Sequence, residues 1–187
     1  VSQELLKKLA IALDNASIPY MVFGGQAVLI YGEPRLTRDI DITLGLEPNQ
    51  AKPVFEVLEK IGLKPRIGNP EEFLQQTFVL PALDPETQFR VDFVFSLTDF
   101  ERQAIARSRI VEIDGVPVRY ISLEDLIVTK IIAGRPRDLE DAKGAILKNP
   151  QCDRTFVKKN LEMFDRQLDC NYADVFNNLL QQIGGNP

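Results

Sequence analysis

Cysteine is scarce in this chain: Cys152 and Cys170 are the only two, and they do not stand at C-x-x-C spacing. A disulfide framework or a C-x-x-C redox motif is therefore not expected, and a reduced, cytoplasmic protein is the simplest reading. No apolar run reaches the roughly 20 residues a bilayer-spanning helix needs, so no membrane span is expected. The opening Val-Ser-Gln-Glu has neither a charged n-region nor an apolar h-region, which predicts no export. Long basic runs are missing too, and the net charge is −5. Nothing advertises a sequence-independent grip on nucleic acid, although a local basic groove is compatible with that balance. Internal repeats and low-complexity segments are absent.

What remains is 187 residues, 44% of them apolar, enough for one good core and a helical appendage. The periodicities alternate. Leu5, Leu6, Leu9, Ala12 and Leu13 make a helical stripe that Ser2 can cap and Pro19 stops, and residues 20–23 then read as a short buried strand. Residues 26–31 continue as helix up to Gly32, and residues 39–44 return to strand period. A second amphipathic helix is expected from Pro48 to Gly62, then a short helix over 71–76 and a strand over 77–80 that Pro81 interrupts. QFRVDFVF, residues 88–95, alternates Val91, Phe93 and Phe95 with Arg90, Asp92 and Val94. A helix capped by Thr98 or Asp99 follows, then a hairpin turning at Asp114-Gly115. Beyond it, helices are expected over 122–133, with Ser122 and Asp125 in capping-box spacing, and over 136–147, 153–168 and 171–183. An α/β part (1–121) thus meets an all-helical part (122–187) at a soft boundary that no linker composition marks.

The chemistry concentrates between Gly24 and Asp41. Asp39 and Asp41 lie at i and i+2 on a strand, so their carboxylates share one face, roughly 6 to 7 Å apart at Cα. Ile40, Ile42 and Leu44 take the core face, leaving Asp39, Asp41 and Thr43 on the other. Upstream, a strand delivers Gly24-Gly25 to a helix start, where backbone N–H groups can cradle a phosphate. The approach to Asp39 is polar, with Arg35 and Arg38 flanking Thr37.

Strand, Gly-Gly, short helix and then Asp-x-Asp resembles the polymerase-beta-type nucleotidyltransferase superfamily, and within it the small prokaryotic members that include abortive-infection toxin-type transferases. The resemblance runs to about residue 145. Many of those proteins carry Gly-Ser where this chain has Gly24-Gly25, so no Ser hydroxyl is available here to a phosphate. The resemblance implies a mixed sheet with flanking helices, antiparallel at its edges, and transfer of a nucleoside monophosphate from an NTP to an acceptor with release of pyrophosphate. It implies Mg²⁺ or Mn²⁺ held by Asp39, Asp41 and Asp92, since hard cations take carboxylate oxygens and paired ions stabilise the attacking and leaving oxygens. Gly24, Gly25, Arg38 and Lys130 would contact the nucleotide phosphates, with Thr37 and Asp141 accessory. Asp138 and Asp141, in RPRDLEDA, resemble a polar helix that carries an aspartate near the site in toxin-type relatives. The acceptor is left open among small molecule, protein and tRNA end, with the acidic balance favouring a cationic small molecule or a protein. A cognate toxin or antitoxin is an implied partner.

Plainer readings stand beside these. Asp-x-Asp is common on solvent-facing strands, Gly-Gly is often only a tight turn, a helical lysine is usually solvated, and acids at a helix N-terminus often just favour the dipole. Asp39-Ile-Asp41-Ile-Thr43 also fits the Asp-x-Asp-x-Thr of haloacid-dehalogenase-type phosphatases. That reading leaves Gly24-Gly25 unexplained, and it wants an apolar strand running directly into Asp39 where Leu36-Thr37-Arg38 stands. A third reading is a nucleotide- or partner-binding relative without turnover, against which three intact aspartates argue.

Overall fold

Seven short strands pair in the order β3-β4-β5-β2-β1-β7-β6 in the computed structural model, which describes residues 2–184. In chain order these are β1 (Tyr20–Phe23), β2 (Asp39–Leu44), β3 (Lys64–Pro65), β4 (Val79–Leu83), β5 (Arg90–Phe95), β6 (Arg109–Ile113) and β7 (Val116–Tyr120). β2 runs parallel to β5 and β1 parallel to β7, while the other pairs, both edges included, are antiparallel. The sheet is mixed and antiparallel-edged, as the family resemblance implies. In the register of β2 with β5, Ile40, Ile42 and Leu44 stand beside Val91, Phe93 and Phe95, and all six are essentially inaccessible. That shared apolar face forces the alternate residues onto the opposite one.

The nine α-helices of the described residues are α1 (Ser2–Asn15), α2 (Gly24–Tyr31), α3 (Lys52–Ile61), α4 (Pro70–Thr77), α5 (Asp99–Ala106), α6 (Leu123–Ala133), α7 (Pro136–Lys148), α8 (Arg154–Leu168) and α9 (Tyr172–Gln182). The α1 stripe is buried as its spacing predicts and packs on β7 and α3; the Ser2 side chain, the expected cap, lies outside the described residues. Thr98, not Asp99, caps α5, in a reciprocal capping box with Glu101. At the β6–β7 turn, Asp114 and Gly115 both have positive φ (49° and 80°), the geometry of a type I′ hairpin. By packing, one unit takes the chain through Ala27 and then Leu36–Ile121; the other takes Val28–Arg35 and the described residues from Ser122 onward. No helix among the described residues is long and apolar enough to cross a membrane.

Two expectations need correction, and one strand is unforeseen. The helix after Pro48 starts at Lys52, because residues 48–50 form a separate 3₁₀ turn. β3 was not legible in the sequence. Pro81 does not interrupt a strand but lies inside β4: its carbonyl accepts from Arg66 N–H (2.9 Å) on the β3 side. A strand residue's N and C=O point to the same side, so the missing proline donor faces the short edge strand and the ladder to β5 loses nothing.

Candidate active site

The parallel register of β2 with β5 sets Asp41 directly beside Asp92 and Asp39 beside Arg90. Asp39, Asp41 and Asp92 therefore share one face of the sheet, opposite the apolar face, with Phe23 of β1 next to Asp41 on the far side. The side-chain oxygens Asp39 Oδ1 and Asp92 Oδ1 are buried without a hydrogen-bond partner among the described residues. Burial pushes the Asp92 carboxyl above its ordinary value; Arg66 opposes the rise, Asp39 adds to it, and Arg90 opposes it. Orphaned, desolvated carboxylate oxygens are costly to keep, and as hard donors they suit a divalent cation. Among the described residues no three His, Cys, Asp or Glu side chains are gathered closely enough to hold an ion by themselves.

Asp39 is held by its backbone. Its carbonyl accepts from Thr37 Oγ1 (3.2 Å) and Gln26 Nε2 (3.4 Å), and the carbonyl of exposed Arg38 accepts from Arg90 N–H (3.4 Å). Thr37 thus acts on the strand entrance, and the buried Gln26, immediately after the glycine pair, is not singled out by the sequence. Gly24 opens α2 itself, so the helix begins two residues earlier than the periodicity suggests. It has φ +59°, and a Cβ there would run into the Asp41 carboxylate, 2.8 Å from Cγ. Only glycine lets this backbone reach the carboxylate. Gly24→Ala should therefore cost about 1–2 kcal/mol for the left-handed backbone, plus the displacement of Asp41. Gly62, with φ +79° and open space around it, supplies the comparison: melting curves should show Gly24→Ala less stable than Gly62→Ala. Equal losses would mean that Asp41 yields freely.

Lys130, Asp138 and Asp141 form a second cluster, within the helical unit. Lys130 is buried, and its Nζ donates to Asp138 Oδ1 (2.7 Å) and Asp141 Oδ2 (2.8 Å). Arg35 clamps Asp141 with two hydrogen bonds of 3.1 Å, and Arg135 Nε donates to Asp138 Oδ2 (2.5 Å). Burial raises the Asp138 carboxyl, but the hydrogen bonds from Arg135 and Lys130 outweigh it and hold it below the usual carboxylate range. Lys130 is thus not the solvated lysine of the plainer reading.

Three solved structures share the fold. The solution structure of the antibiotic-resistance factor ANT(2″)-Ia matches with TM-score 0.61 at 19% identity, covering 95% of this chain and 96% of that one. The crystal structure of ANT(2″)-Ia in complex with adenylyl-2″-tobramycin matches with TM-score 0.61 at 18% identity, over 90% and 99%. An antigenic nucleotidyltransferase-like protein from Paracoccidioides brasiliensis matches with TM-score 0.56 at 15% identity, over 95% and 91%. No curated protein matches in sequence. The family described as "Nucleotidyltransferase of unknown function (DUF6036)" matches residues 2–179, which displaces the phosphatase reading: the chain belongs to this nucleotidyltransferase family.

Proposed function

We propose that the protein transfers a nucleoside monophosphate from an NTP to an acceptor hydroxyl at the face carrying Asp39, Asp41 and Asp92. The observation that carries this is the register placing Asp92 beside Asp41, with the left-handed Gly24 backbone against the same carboxylate. In this reading the N–H groups of Gly24 and Gly25 hold the outer phosphates at the start of α2, and exposed Arg38 neutralises them from the entrance of β2. Asp39, Asp41 and Asp92 would hold Mg²⁺ or Mn²⁺ jointly with phosphate oxygens. Bound there, the metal would neutralise the triphosphate and polarise the phosphorus under attack. The acceptor oxygen forms a bond to the α-phosphorus, the bond to the β-phosphate oxygen breaks, and pyrophosphate leaves. The acceptor's proton passes to a carboxylate. The chain contains no histidine, and Asp92, raised by burial, is the base best matched to that task. Lys130, already balanced by two carboxylates, is proposed to brace α6 on α7, with Asp141 and Arg35 completing the brace.

The test is thermal stabilisation by each NTP with and without Mg²⁺ or Mn²⁺. Bare carboxylates hold Mg²⁺ weakly, and triphosphate oxygens complete its shell, so metal and NTP together should raise Tm where metal alone does not. An Asp39→Asn, Asp41→Asn double variant should stay folded and lose the shift. The same shift in that variant would remove these two residues from the site.

A further inference from the structure

Two rows of side chains cross the carboxylate-bearing face. From Asp41 the first passes through Asp92 to Pro81 and, where the β3–β4 register continues past Pro65, to Arg66, whose N–H bonds the Pro81 carbonyl. The second runs from Asp39 through Arg90 and Leu83 to Lys64. Beyond Asp92, toward the β3 edge, the charged groups of these rows are thus Arg90, Arg66 and Lys64. Both arginines are close enough to Asp92 to draw its carboxyl downward. All three cations are exposed, and none is held in a salt bridge among the described residues. Asp84, in the β4–β5 turn, is taken up by Thr87 Oγ1 (2.5 Å) and Glu86 N–H (3.1 Å).

Strand order says which part of the reaction this region serves. Gly24 leaves the end of β1, which flanks β2 on one side, while β5, β4 and β3 lie on the other. In phosphoryl transfer the attacking and leaving oxygens are roughly in line. With the leaving pyrophosphate held at Gly24-Gly25, the acceptor must approach from the β5–β3 side, over Arg90, Arg66 and Lys64. By strand spacing, the β3 and β5 cations lie roughly 10 Å apart, so they can grip more than one oxyanion. A polycationic acceptor would meet like charge there.

Resting on the transferase reading, we infer that Arg66, Arg90 and Lys64 are specificity-determining residues for the acceptor, and that the acceptor carries phosphate close to its attacking hydroxyl. The phosphate can belong to a small sugar phosphate or to the backbone of an oligonucleotide, and a competition experiment separates the two. The probe is a fluorescein-labelled ribonucleotide pentamer read by anisotropy, with ribose 5-phosphate as competitor. The wild-type protein should bind the pentamer, and an Arg66→Gln, Arg90→Gln double variant should bind it at least about tenfold more weakly. Loss of two phosphate contacts should also reduce the slope of log K against log salt by about 1.4. A Lys158→Gln, Lys159→Gln variant of α8 should bind as wild type. Displacement by ribose 5-phosphate assigns the small acceptor, and its failure to displace assigns the oligonucleotide; either supports the inference. Absence of pentamer binding, equal binding by the double variant, or a loss confined to the α8 variant overturns it. Melting curves of the double variant with NTP and Mg²⁺ keep the two readings separate. A retained nucleotide shift with unchanged pentamer binding defeats this inference alone, whereas a wild-type protein with no nucleotide shift defeats the transferase site beneath it.

Discussion

Asp92→Ala should abolish turnover while leaving NTP binding nearly intact. In the proposed reading the triphosphate is held by the Gly24-Gly25 backbone, Arg38 and the β2 carboxylates, and Asp92 would face the acceptor. Removing a positioned proton acceptor typically costs 10²–10⁴ in rate, so a fall of about a thousandfold, ~4 kcal/mol of barrier, is expected. Single-turnover transfer of labelled nucleotide measures it, with the nucleotide-induced thermal shift as the binding control. Stability should move the other way with Asp92→Asn. The folded-state pKa of Asp92 is raised, so ionisation at neutral pH destabilises the native state, and that penalty fades as pH falls through the folded-state value. At pH 7 the Asn variant, which carries no charge to desolvate, should melt above wild type, and its advantage should shrink toward acid. A variant that keeps turnover, or that loses nucleotide binding along with it, would take Asp92 away from the acceptor side.

The sequence carried the elements further than it carried their neighbours. Period-two alternation around Asp39, Asp41 and Asp92 is a local signal, so β2, β5 and the faces of their side chains were readable. The pairing of Asp41 with Asp92 was not, because it depends on strand order and register, which are set by contacts some fifty residues apart. β3 shows why Arg66 was missed: two residues, one of them proline, carry no periodicity, and their role comes only from pairing with β4. Pro81 misled for a related reason, since a proline's effect on a sheet depends on which side its nitrogen faces. Lys130 did leave a signal. Leu123, Leu126, Ile127, Val128 and Ile131 of α6 are all buried, and a helix apolar nearly all round is an interior helix. A lysine there needs buried partners, and Asp138 and Asp141, eight and eleven residues on, supply them.

That burial makes Lys130 a demanding position. Lys130→Met would leave Asp138 and Asp141, whose side chains are 4% and 7% exposed, without the ammonium they share. Arg35 still clamps Asp141, but the remaining partner of Asp138 is Arg135, whose side chain is 76% exposed. Breaking a buried ion pair from one side typically costs 3–5 kcal/mol, which for a chain of this size lowers Tm by roughly 6–20 °C. The loss should depend on pH in a definite sense. The folded-state pKa of Asp138 is lowered, so its contribution is complete above the ordinary carboxyl range and disappears as pH falls through the lowered value. The Tm gap between wild type and Lys130→Met should therefore be widest near neutrality and close in acid. Adding Asp138→Asn to Lys130→Met removes the stranded charge and should recover part of the lost stability, so that the double variant melts above the single one. A double variant melting below the single one would mean that packing of the lysine stem, not the charge, held the helices. Function provides a separate reading. The folded Lys130→Met protein should still show the nucleotide-induced shift, because in the proposed reading the Lys130 ammonium is taken up by Asp138 and Asp141; loss of that shift in a folded variant would return Lys130 to the phosphates.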